Sequence, residues 1–269
     1  MKAVILAGGK GAGLRPLSLE RPAAMLPVLG RPLMEHILLL LREQGITRVW
    51  VAPGEGFREL RDTFGGGGEL RMELTYVGEE GMPSKLGEKD ILLVPGNCLF
   101  DLDMKKLMDF HRERRSAVTM GLCPSSERTA RQSMAITGPE GRVERLAPAS
   151  PWGGGLAGFV DTGLWVVTPG ILRRLWERGS SDLEEGLSEL LREDTPVWGC
   201  PLDGYWRKLE DTRAYLDGVC DALSGKVRLD PGLPQREPGI WSAQAVPEGV
   251  SLVPPCWLGP EVQVEPGSL

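Results

Sequence analysis

The chain has 269 residues, 41% of them hydrophobic and 25% charged, with a net charge of −6. That length suits one α/β domain of ordinary size plus a small appendage, and the composition is that of a soluble globular protein. An acidic chain without basic runs excludes nucleic acid as a partner. No apolar run approaches the ~20 residues a bilayer span needs, so a membrane is excluded too.

Ala3-Val4-Ile5-Leu6 reads as a buried first strand, broken by Gly8-Gly9 and therefore not a signal peptide. Pro32 to Gln44 carries apolar residues at helical spacing, closed by Gly45. Val49-Trp50-Val51 is the second strand, Gly56 to Phe64 a short helix, and Leu70 to Val77 a strand by its alternation. Lys89 to Val94 is continuously apolar after its start, which predicts a central strand. Asp103 is placed to cap a helix from Met104 to Arg114. Strands are expected at Ser116–Cys123, on both sides of Gly138-Pro139-Glu140-Gly141, around Asp161-Thr162-Gly163, and at Pro196–Pro201. Helices are expected near 170–177, 182–193 and 211–223, the last capped by Asp211.

Beyond Gly225 the pattern changes. Proline and glycine crowd in, and apolar residues recur every six positions, at Ile240, Val246, Leu252, Leu258 and Val264. A six-residue period is the mark of a left-handed parallel β-helix, which needs further coils or a partner to cover its ends. A plain Pro-rich tail is the alternative. Five scattered cysteines without a C-x-x-C pair predict reduced, mostly buried thiols and a cytoplasmic protein. His36 and His111 both fall in helical patterns, which argues structural roles and no zinc site.

The stretch with most chemistry is Ala7-Gly8-Gly9-Lys10-Gly11-Ala12-Gly13-Leu14-Arg15-Pro16-Leu17. Its glycines let the backbone turn sharply, and successive bare N–H groups form a concave anion nest. Leu6-Ala7-Gly8-Gly9-x-Gly11, then Leu14-x-Pro16-Leu17, then Met25-Leu26-Pro27-Val28-x-Gly30-Arg31-Pro32 follow in order. This series resembles the sugar-1-phosphate nucleotidyltransferases, and most nearly the mannose-1-phosphate guanylyltransferases. The likeness runs through nearly the whole chain. It agrees with a Rossmann-like doubly wound α/β domain over residues 1–224, after which the change in composition and the six-residue period set a linker over 225–239 and a hexapeptide β-helix stub over 240–269.

The resemblance also marks departures. The family's phosphate-neutralising Arg and Lys fall on Gly13 and Ala23. Its metal-binding Asp pair falls on Asn97, in Gly96-Asn97, and on Lys208, in Trp206-Arg207-Lys208-Leu209-Glu210-Asp211. Two carboxylates thus become one amide and one ammonium. The family's sugar-phosphate Glu-Lys-Pro falls on Pro148-Ala149-Ser150, and a polar base-reading position on Gly54. The stretch 78–88 is shorter than the family's loop over base and sugar. Lys10, Arg15, Arg21 and Lys85 remain as possible phosphate partners.

By this reading the nucleotide-binding set is Leu6, Ala7, Gly8, Gly9, Gly11, Gly96 and Asn97, and the sugar-binding set Asp161, Thr162 and Gly163. No group for catalysis is expected at Gly13 or Ala23, and no metal at Asn97 and Lys208. The implied function is a catalytically impaired, regulatory or sugar-nucleotide-binding subunit, in a homo- or hetero-oligomer joined through the β-helix. The alternative is an active sugar-1-phosphate nucleotidyltransferase using other residues, with Mg²⁺.

Overall fold

The structure, a computed structural model, describes residues 2–8, 11–52, 54, 57–77, 87, 89–124, 132–147, 158–177, 183–246 and 248–268. The first strand, β1 (Lys2–Leu6), buries Ala3, Val4 and Ile5 completely. Two 3-10 turns at Ala12–Leu14 and Ala23–Met25 lead to a small hairpin, β2 (Pro27–Val28) with β3 (Arg31–Pro32). Then come α1 (Leu33–Glu43), β4 (Arg48–Ala52), α2 (Phe57–Phe64), β5 (Glu73–Tyr76), β6 (Ile91–Pro95), β7 (Cys98–Phe100) and α3 (Met104–Arg114). The second half holds β8 (Val118–Pro124), β9 (Met134–Thr137), β10 (Val143–Ala147), β11 (Phe159–Val167), α4 (Pro169–Glu177), α5 (Leu183–Arg192), β12 (Val197–Pro201), β13 (Trp206–Lys208) and α6 (Thr212–Leu223). The tail adds β14 (Gln235–Glu237), β15 (Ile240–Ser242) and β16 (Cys256–Leu258).

The main sheet runs β5-β4-β1-β6 with every neighbour parallel. Antiparallel β11 then joins β6 and carries β8 along its other edge, with β12 parallel to β8. Alternate residues feed two cores. Ala3, Ile5, Val49, Val51, Leu92 and Val94 face α1 and α3, through Leu38, Leu41 and Leu107. Val4, Trp50, Ile91 and Leu93 face α4 and α5, through Ile171, Leu172, Leu187 and Leu190. Both faces are therefore covered, as continuously apolar parallel strands require.

The predicted caps are present. Asp103 accepts from the Lys106 N–H at 3.0 Å and Asp211 from the Ala214 N–H at 2.7 Å. His36 and His111 are buried on α1 and α3 and bond to the Val28 carbonyl and the Thr119 hydroxyl, both at 2.8 Å. The strand expected over Leu70–Val77 is shorter, because the turn after α2 continues to Arg71, at φ 56°, and pairing starts at Glu73.

In the tail, β15 pairs in parallel with β16, Ile240 opposite Cys256. Ile240 is buried, and Val246, Leu252, Leu258 and Val264 are half-buried among mostly exposed neighbours. That is a single wrap, less than the stacked coils that define a β-helix. β14 lies within the expected linker and pairs antiparallel with β15.

Candidate functional site

The carboxyl ends of β1, β4 and β6 stand side by side, and each is followed by a turn that needs a glycine. The Ala7 N–H donates to the Ala52 carbonyl and the Gly96 N–H to the Leu6 carbonyl, both at 2.9 Å. A Cβ on Gly54, whose φ is 53°, would lie 2.7 Å from the Gly8 Cα. One on Gly96 would lie 2.9 Å from the Ala7 Cα. Side chains here would push the three turns apart, so glycine lets them close into a floor of bare backbone.

Above this floor is a cavity of about 770 Å³. It lies outside the carboxyl ends of the parallel strands, where open α/β sheets bind their ligands. Leu6, Ala7, Gly8, Gly11, Gly54, Gly96 and Asn97 line it, as do Ala23, Asp161, Thr162, Gly163 and Lys208. The described members of the predicted nucleotide and sugar sets are thus brought to one cavity. Gly9, Lys10, Lys85, Ala149 and most of the 78–88 stretch lie outside the described residues. Arg15 and Arg21 are exposed and are absent from the described cavity wall.

Lys208 comes to the cavity through a two-stranded ribbon. β13 pairs antiparallel with β7, Lys208 opposite Cys98, and the Leu209 N–H donates to the Asn97 carbonyl at 2.8 Å. Lys208 is therefore fixed beside Asn97, and its Nζ is 4.0 Å from Glu210 Oε2. Glu210 Oε1 accepts from Gln132 Nε2 at 2.9 Å. Among the described cavity-lining residues, Lys208 is the one cation, and Asp161 and Glu210 are the carboxylates. Burial pushes the neighbouring Cys98 thiol up to about 12, against the opposing pull of the Lys208 ammonium.

The Asp161-Thr162-Gly163 segment is a bulge in β11. Pairing with β8 shifts register between Asp161 and Trp165, just where β11 leaves β9 for β6. Asp161 Oδ1 accepts from the Gly163 N–H and from Trp165 Nε1, both at 2.8 Å. The Thr162 hydroxyl donates to the Gly121 carbonyl at 2.7 Å. These bonds shape the cavity wall from within the protein, a recurring use of bulges beside binding sites.

Gly13 has a structural reason of its own. A Cβ there would lie 2.3 Å from the Glu210 carbonyl oxygen. The segment after β13 thus fills the space a longer residue at position 13 would need. Gln132, Trp206 and Glu210 are cavity residues that the sequence reading missed. In the sequence Trp206 and Glu210 stand out only as neighbours of Lys208, and Gln132 sits in no motif.

The chain matches the nucleotidyl transferase family over residues 2–225. It is 27% identical to a mannose-1-phosphate guanylyltransferase of Mycobacterium tuberculosis, over 99% of this chain and 77% of that protein. It is 23% identical to a UTP–glucose-1-phosphate uridylyltransferase of Synechocystis, over 99% of this chain and 76% of that protein. In structure it resembles a UDP-glucose pyrophosphorylase solved with UDP-glucose, with a TM-score of 0.67 and 14% identity over 83% of this chain and 98% of that one. Matched through its whole α/β body, the chain belongs to the nucleotidyl transferase family, among the sugar-1-phosphate nucleotidyltransferases.

Proposed function

We propose that this chain is a catalytically impaired member of its family, which binds a sugar nucleotide and serves as a regulatory subunit. The observation that carries this reading is Lys208 beside Asn97 on the cavity wall, where the family resemblance expects two aspartates. Nucleotidyl transfer accumulates negative charge at the attacked phosphate, so its catalysis is positioning plus cationic stabilisation. Mg²⁺ prefers carboxylate oxygens. An amide and an ammonium do not fit that ion: the first offers no charge and the second repels it. Gly13 and Ala23 add no cation in exchange.

The second reading, an active enzyme with substitute residues, draws on Glu210. It brings a carboxylate to the same wall, and one of its oxygens is already bonded to Gln132. Loss of one preorganised donor typically costs ~10²–10³ in rate, and several are replaced here. The impaired reading is therefore the stronger. For assembly, the parallel β15–β16 pair and the half-buried hexad row support a β-helix stub that joins another subunit.

Pyrophosphate release tests the reading, with GTP plus mannose 1-phosphate and UTP plus glucose 1-phosphate in Mg²⁺. Turnover far below ordinary enzyme rates is expected. Release at ~1 s⁻¹ or faster would overturn it.

A further inference from the structure

We infer that Lys208 takes the place of a metal ion in this cavity, so that the chain binds a nucleoside diphosphate sugar without a divalent cation and in preference to a nucleoside triphosphate. This rests on the reading of the cavity as a sugar-nucleotide site, and adds which ligand fits it and what holds the charge.

Three observations carry the inference. The first is position: the β7–β13 register fixes Lys208 beside Asn97, on the wall of the cavity whose floor holds Gly8, Gly54 and Gly96. The second is availability. The separation from Glu210 is 4.0 Å, the outer limit of an ion pair, while Glu210 is bonded to Gln132 by its other oxygen. The side chain of Lys208 is 33% exposed. A phosphate oxygen can approach the ammonium closely without first breaking a short salt bridge.

The third is charge. Lys208 is the one cation among the described lining residues, against two carboxylates. A diphosphate esterified at both ends carries two negative charges. One ammonium and a few backbone N–H groups can hold these. A triphosphate carries about twice that charge and ordinarily brings Mg²⁺ to offset it. Lys208 repels that ion and the carboxylates repel the surplus charge. The cavity therefore selects the diphosphate ester.

The experiment is calorimetric titration of the full chain with GDP-mannose, UDP-glucose, GTP and UTP, each in EDTA and then in excess Mg²⁺. At least one sugar nucleotide is expected to bind equally well in both conditions, and tighter than its triphosphate. Lys208→Gln should weaken that binding about tenfold or more, the scale of one charge-assisted bond, and Lys208→Arg should keep most of it. Thermal melts of both variants confirm that they fold.

A Mg²⁺ requirement, tighter triphosphate binding, or a Lys208→Gln variant that binds like the parent would each overturn the inference. So would the absence of binding by all four ligands. Fast pyrophosphate release would instead overturn only the impaired reading of the function, since the metal and Lys208 dependence of binding is read separately.

Discussion

Gly13 shows how much a single missing side chain can mean. By resemblance alone it is a lost arginine, which suggests that Gly13→Arg would restore a cation. The Glu210 carbonyl, 2.3 Å from the place of its Cβ, removes that option. Backbone cannot swing aside as a side-chain tip can. Gly13→Arg should therefore destabilise the fold by about 1–3 kcal/mol, the usual cost of overpacking, without a gain in pyrophosphate release. A urea titration and the release assay check both halves. Asp221 offers a second test at this scale. Burial by itself would push its carboxyl up, but hydrogen bonds from Lys226, Tyr205 and Arg207 overcome this and hold its pKa below the ordinary value. It accepts from Arg207 at 3.0 Å, Tyr205 at 2.9 Å and Lys226 at 2.6 Å. Asp221→Ala leaves the buried guanidinium with the neutral Tyr205 hydroxyl, which accepts from its Nε at 3.0 Å, and with Asp217, 3.5 Å away, so a loss of about 3 kcal/mol is expected, the low end for breaking a buried pair. A depressed folded pKa stabilises above the unfolded value and is lost as pH falls through the folded one. The parent should thus lose this contribution below about pH 4, and the variant should show a flatter acid limb over that window.

Elements were legible where a period or a cap is written locally. The helix from Met104 to Arg114 follows from Asp103 and its apolar spacing, and its bounds match. The glycine turns after β1 and β6 follow from a need that lies within the segment itself. β7 and β13 were missed as strands because three residues cannot display a period, and because their pairing joins positions about a hundred apart in sequence. The Gln132–Glu210 bond was invisible for the same reason. Yet that short ribbon carries Asn97 and Lys208 to the cavity. Its burial can be tested through thiols. Cys98 on β7 and Cys123 on β8 are pushed by burial up to about 12, and Cys200 on β12 up to about 11. Thiolates are the reactive form, so these three should be silent to a thiol reagent at pH 8 in the native protein. Exposed Cys220 on α6 should react first and half-buried Cys256 more slowly. Fast native reaction of Cys98 would mean the ribbon is not seated as described.

At the scale of the whole molecule, the question is what joins the tail to the α/β body. The six-residue rhythm picks out buried Ile240 and four half-buried residues of the tail but not its seat, because Trp257 rests on Gly30, more than two hundred residues earlier. Gly30 has φ 76°, and a Cβ there would lie 2.3 Å from the Trp257 ring. The ring therefore rests on bare backbone, and its Nε1 donates to the Pro231 carbonyl at 3.0 Å. Arg31 adds an ion pair to Asp230 at 3.2 Å, but Asp230 is 65% exposed and such a pair contributes little. Val227 and Leu229 hold the start of the tail against the body; beyond them the indole is an anchor, and half-burial of so large a side chain is worth about 2 kcal/mol. Trp257→Ala should raise the open population of the tail at least tenfold, read as faster limited proteolysis after Gly225. The urea midpoint of the α/β body should move little, because among the described residues of β15 and β16 only Trp257 packs against either of its two cores. Gly30→Val attacks the same contact from the body side, with added strain from its positive φ, and should give the same cleavage pattern. If both variants resist the protease as the parent does, the tail is held by something other than this contact.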